Sequence, residues 1–161
     1  MRKAVKLTGL RELENALAEL PKATGKNVLR RTLKKAAAPI ERDAAANAPE
    51  LSGNLQLNIA TSFQLNKNQK SEVRKANSKS SAEIHVGVKA GKSVSGADAF
   101  AQIAGVQTEF GNDHQEADPW FRPAWDSNHD RALDTIGSEL GTEIEKAAKR
   151  LARKAAKLAG K

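Results

Sequence analysis

Cysteine and tyrosine are missing from the 161 residues, and only four phenylalanines, two tryptophans and three histidines occur. Without cysteine there is no disulfide framework, no thiolate-bound zinc and no thiol nucleophile. The absence also fits a reducing compartment. No uninterrupted apolar run approaches the roughly 20 residues that a membrane-spanning helix needs. The apolar stretch from Leu7 to Leu20 is broken by Arg11, Glu12, Glu14 and Glu19, so no secretory signal is read there. The expectation is an intracellular, soluble protein with no membrane contact. With aromatics at 4%, a core must come mainly from Leu, Ile, Val and Ala, and the length suits a single domain over residues 1–161.

What the chain does have is positive charge, +8 in all and unevenly spread. Residues 1–48 carry 11 basic and 5 acidic side chains, residues 49–81 carry 5 and 2, residues 82–126 carry 3 and 7, and residues 127–161 carry 8 and 5. Solvated helix faces explain such a pattern. So do phosphate contacts to nucleic acid, or subunits meeting basic face to acidic face in a head-to-tail ring.

The pattern of apolar residues predicts an α+β fold: two N-terminal helices, a small antiparallel sheet of about three or four strands, and a long C-terminal helix packed across it. Thr8 is placed to cap the first helix, in which Leu10, Leu13, Leu17 and Leu20 recur until Pro21. A second helix over Thr24–Asn47 has Val28, Leu29, Leu33, Ala36, Ala37, Ile40 and Ala44 as its stripe. Pro39 predicts a kink near Ala36, or a break there. After a Pro/Ser/Gly/Asn turn, Leu55, Leu57, Ile59, Thr61, Phe63 and Leu65 alternate with polar residues, as in a half-buried strand. Ala82–Val88 reads as a second strand, and Ile103–Phe110 as a third or as a short helix and strand. The polar loops 66–81 and 89–99 are expected to be mobile. In the last helix, capped by Asn128, the residues Leu133, Ile136, Leu140, Ile144, Ala147, Leu151, Ala155 and Leu158 step by 3, 4, 4, 3, 4, 4 and 3. Gly137 and Gly141, four apart on this helix, suggest close approach of another backbone. Residues 146–161 form a basic helical extension.

Catalytic patterns are scarce. His85 alternates with apolar strand residues and His129 sits in the predicted first turn of the last helix. His114 lies among Glu109, Asp113, Glu116 and Asp118, but the spacing matches no calcium loop and no second histidine supports zinc. Gly91-Lys92-Ser93 lacks the earlier glycine of a phosphate loop, because Val86 stands there. Ser52-Gly53 has no nucleophile-elbow context. No enzyme, cofactor or metal is expected. The loop carrying Lys67, Lys70, Arg74, Lys75 and Lys79 is a candidate DNA-facing element, although residues 64–99 contain no aromatic side chain for base stacking.

The densest unusual segment is Ala117-Asp118-Pro119-Trp120-Phe121-Arg122-Pro123-Ala124-Trp125-Asp126, which holds both tryptophans. It is the last of four signals in order. The others are Leu7-Thr8-Gly9-Leu10, then Ala48-Pro49 followed by Ser52-Gly53-Asn54-Leu55, then Glu109-Phe110-Gly111. In that order the chain resembles the tail-completion, or head–tail joining, proteins of lambda-like long-tailed double-stranded DNA phages. The resemblance implies a structural virion protein at the head-proximal end of the tail, present in host cytoplasm during assembly. The implied partners are copies of itself in a sixfold ring, or none in isolation, and other neck, tail-terminator or tail-tube proteins. A basic DNA-binding accessory protein is the alternative. Two roles stay open for Trp120, Phe121 and Trp125: plugging the junction of sheet and last helix, or forming an interface with Glu109, Phe110, Gly111 and Arg122. In the interface role, prolines preset the docking geometry and Arg122 pairs with a neighbour's carboxylate, such as Glu109.

Overall fold

Helix-forming residues dominate, and the computed structural model is correspondingly helical. It describes residues 10–49, 54–64, 82–89 and 97–159. The elements in order are α1 (Leu10–Ala18), α2 (Lys22–Asn47), α3 (Asn54–Asn58), β1 (Ile59–Ser62), β2 (His85–Val88), α4 (Ala97–Phe110) and α5 (Phe121–Ala159). Thr8, Ser52-Gly53, Leu65, the basic loop 66–81 and most of 89–99 lie outside the described residues. Two compact units emerge, one from residues 1–36 and 130–161, the other from residues 37–129.

In the first unit, α1 ends before Pro21, whose carbonyl accepts from the amides of Thr24 and Gly25 and so opens α2. Leu13 and Leu17 of α1, and Leu20 just beyond it, point where their spacing predicts. Leu13, Leu17 and Leu20 pack with Val28, Leu140, Ile144 and Ala147. Polar anchoring runs beside this cluster. Glu143 is nearly buried and accepts from Arg31 Nε at 2.9 Å, with Lys146 Nζ at 3.4 Å and Lys35 Nζ at 3.5 Å, while Lys35 also reaches Glu139 at 2.6 Å. Burial pushes the Glu143 carboxyl upward, but donation from Arg31 and Lys146 outweighs it and holds the group below the usual carboxylate range. The bonds to Glu139 raise Lys35 in turn, against the opposing effect of burial. An added Cβ at Gly141 would lie 3.5 Å from Leu13 Cδ2, an ordinary contact, so no close backbone approach explains that glycine.

The second unit holds the sheet. Only two strands form among the described residues, antiparallel, with Ile59 opposite Val88 and Ser62 opposite His85. The strand expected from Leu55 instead starts as α3. The i, i+4 pair Leu55 and Ile59 is buried, whereas Leu57 is 78% exposed. Alternation of Leu55, Leu57 and Ile59 is therefore not one buried face. Gln56 Nε2 donates to the carbonyl of Ala48 at 2.7 Å, satisfying the end of α2. The expected third strand is absorbed into α4. α2 runs unbroken through Pro39. The long helix begins at Phe121, well before Asn128. That residue is no cap: it is buried inside the helix and donates to Asp43 Oδ2 at 2.8 Å and to the carbonyl of Ala124 at 2.9 Å.

The core of this unit is Ala44, Ala48, Leu55, Ile59, Trp120 and Ala124, with Val88 and Phe121 against it. Three alanines around one indole let the helices approach closely. Gly105 continues the theme, because a Cβ there would lie 3.0 Å from both Leu55 Cδ1 and Val88 Cγ2. β1 is tied to α2 through Glu41, which accepts from the Thr61 amide at 3.1 Å and from the Thr61 hydroxyl. The two glycines should therefore respond oppositely. Gly105→Val should lower the urea midpoint by overpacking worth about 1–3 kcal/mol. Gly141→Ala should raise it by up to about 1 kcal/mol through helix propensity.

Candidate functional site

Any helix leaves its first amides without partners. The start of α5 meets this requirement with a carboxylate from a different helix. Glu109 Oε2 accepts from the amides of Trp120 at 2.8 Å and Phe121 at 2.7 Å, and Oε1 accepts from the Arg122 amide at 3.1 Å. Pro123, next in line, has no N–H to satisfy. Two prolines thus fit a helix start. Pro119 precedes it and Pro123 lies in its first turn.

Arg122 closes the arrangement from outside. Its Nε donates to Glu109 Oε1 at 2.8 Å and its Nη2 to the Glu109 carbonyl at 2.5 Å. The guanidinium also lies 5.3 Å from the centre of the Phe110 ring. Glu109 is 4% exposed. Burial pushes it upward, but the Phe121 amide, the Arg122 side chain and the amides of Arg122 and Trp120 together hold its pKa below the usual range. With its oxygens taken by donors and its basicity lowered, Glu109 is poorly suited to act as a general base.

Trp120 is buried, and its indole Nε1 donates to the Gly105 carbonyl at 3.0 Å while its own carbonyl accepts from Asn47 Nδ2 at 3.3 Å. Phe121 is half-buried and packs edge-on to Trp120, ring centres 5.8 Å apart. Trp125 is 49% exposed and stacks on His129. The two tryptophans therefore divide: one is core, the other is surface. Gly111 ends α4 at φ 74°, its amide donating to the Gln107 carbonyl at 2.7 Å. A Cβ there would sit 2.9 Å from the backbone nitrogen of Ala117, so glycine is required twice over. Residues 112–118 fold back through the Asn112–Gln115 bridge and the Asp118 amide, which donates to the Thr108 carbonyl.

The sequence candidates Glu109, Phe110, Gly111, Trp120, Phe121 and Arg122 are thus gathered at one place. Trp125 sits one turn along. Arg122 pairs with Glu109 of its own chain, whose place is fixed by the helix start it caps. Lys67, Lys70, Arg74, Lys75 and Lys79 lie outside the described residues. Gly105 and Asn47 were missed: a glycine inside a helical pattern and an asparagine at a helix end carry no pairing signal across 15 and 73 residues. Among the described residues no His, Asp and Glu side chains are grouped to hold a metal ion, and no helix is long and apolar enough to cross a membrane. Beside the clamp, a groove of about 310 Å³ lies between β2, α4 and the start of α5, walled by Val86, Val88, Val106, Phe110 and Phe121.

Replacing Glu109 by Ala should lower the unfolding midpoint by roughly 2–3 kcal/mol, since several donors lose a charged acceptor. The clamp's contribution is full above the usual glutamate pKa, near 4.3, and lost as pH falls through the lower folded value. Glu109→Gln should therefore flatten the acid limb of stability against pH, as read by denaturant titrations from pH 3 to pH 7. An unchanged acid limb would mean that the carboxylate is not what holds this helix start.

A protein-family model matches residues 11–111, that of "Bacteriophage HK97-gp10, putative tail-component". The match covers more than half of the chain, which belongs to this HK97-gp10-like family. It ends at Gly111, so the clamped helix start and α5 lie beyond it. No curated protein and no solved structure matches. Membership implies a structural part in a phage tail, and contact with other structural proteins of the particle.

Proposed function

Taking membership of a family of phage tail components as the premise, we propose that this chain completes the head-proximal end of the tail and makes it competent to join a filled capsid. The supporting observation is the clamp. The signals Glu109-Phe110-Gly111 and Pro119-Trp120-Phe121-Arg122-Pro123, far apart in chemistry and separate in the sequence, converge on one rigid helix start. Beside it Phe110 and Trp125 stay exposed, 68% and 49%. Fixing a surface in this way lowers the entropy lost on docking, and exposed aromatics next to arginine are frequent interface anchors.

In this reading the partners are copies of the chain in a sixfold ring and the adjoining neck, terminator or tube proteins. The work is done by contact, with no cofactor. Deleting the gene should yield full heads and unattached tails side by side in electron micrographs of lysates, and supplying the protein in trans should restore joined particles. Normally attached, infectious particles from the deletion would remove the proposal.

A further inference from the structure

Among the described residues two surfaces are largely uncovered, and they match. The first is on α4. Ile103, Val106 and Phe110 step by 3 and 4 along one face and are 58%, 61% and 68% exposed. The stripe is about 10 Å long at 1.5 Å per residue. Its C-terminal end adjoins the exposed Asp113, Glu116 and Asp118, whose loop is held against α4 by the Asp118 amide on the Thr108 carbonyl. Val106 and Phe110 also form part of the groove wall.

The second surface is the end of α5. After Ala147 no described side chain is buried, yet the helix continues to Ala159. That is an arm of about 18 Å. Lys149, Arg150, Arg153, Lys154 and Lys157 lie along it and no acid does. In its sequence Leu151, Ala155 and Leu158 step by 4 and 3. Isolated helical turns are marginal in water, so an arm on which Leu151 is half-buried and residues 152–157 are exposed gains from being covered.

We infer that the arm of one copy docks antiparallel on the α4 stripe of a second copy. The reversed spacing sets Leu151 by Phe110 and Ala155 by Val106, and brings helix position 158 level with Ile103. The same direction brings Lys149, Arg150 and Arg153 toward Asp113, Glu116 and Asp118. The contact joins unlike surfaces, so it repeats head to tail, the kind that closes rings. A stripe about 10 Å long falls well short of the roughly 800 Å² per partner of a stable pair. The contact is therefore weak singly and strengthened by closure. This inference rests on the self-association in the proposed tail-completion role.

The chain has no native cysteine, so engineered thiols report without background. Full-length Val106→Cys and Ala155→Cys variants, mixed and oxidised, should give a mixed disulfide dimer that neither variant gives alone. Ile103→Cys with Leu158→Cys should do the same, and circular dichroism checks that each variant is folded. Adding D113K, E116K and D118K to the Val106→Cys chain should abolish the dimer, and K149E, R150E and R153E on the partner chain should restore it. The inference is overturned by absence of mixed dimer with both cysteine pairs. It is equally overturned by Val106→Cys pairing only with itself, or by an arm that binds DNA with steep salt dependence while reversal of the acidic loop changes nothing. Such a result beside unattached heads and tails in the deletion would discard this contact and keep the role.

Discussion

The carboxylate of Glu109 at the first turn of α5 is the interaction on which the second unit turns. Helix starts are usually satisfied by a neighbouring Ser, Thr, Asp or Asn. Here the acceptor comes from 11 residues upstream, at the end of another helix, and one side chain serves three consecutive amides and a guanidinium. A negative charge at this end is also favoured by the helix dipole. Because α4 and α5 share that group, the end of one helix fixes the start of the other, and Trp120 between them is fixed with both.

Packing around that point follows from small residues. Ala44, Ala48 and Ala124 leave room for an indole, and Gly105 lets α3 and β2 come up to α4. A core of this kind has one large side chain and little spare volume. The polar bonds of Trp120 to Gly105 and Asn47 meet the needs of an indole N–H and a carbonyl that would be costly to bury alone. In the first unit the burden shifts to leucine spacing and to the three cations around Glu143.

What the sequence made legible was periodic. Leu13 and Leu17 of α1, the stripe of α2 and the middle of α5 pack as their spacing predicts, because a long amphipathic pattern has only one way to bury its apolar face. Shorter patterns misled. Leu55, Leu57 and Ile59 fit both a strand and an i, i+4 helical pair, and only tertiary contact with Trp120 and Ala44 decides between them. Asn128 has the chemistry of a cap, yet the actual cap was hidden because no local rule links Glu109 to residues 120–122. Which tryptophan is buried was hidden for the same reason. The candidate site itself was visible as motifs, but the role of those motifs in anchoring each other was not.

The clamp also frees the segment it brackets. Since Glu109 and Gly111 hold one end, and Trp120 and Arg122 the other, residues 112–118 form a closed loop whose ends do not depend on its tip. Doubling the length of such a loop costs only about 0.6 kcal/mol in closure entropy. Substitutions and insertions at the tip therefore cost little so long as the two anchored ends are kept, which leaves the chemistry of this short acidic stretch free to vary independently of the frame beneath it.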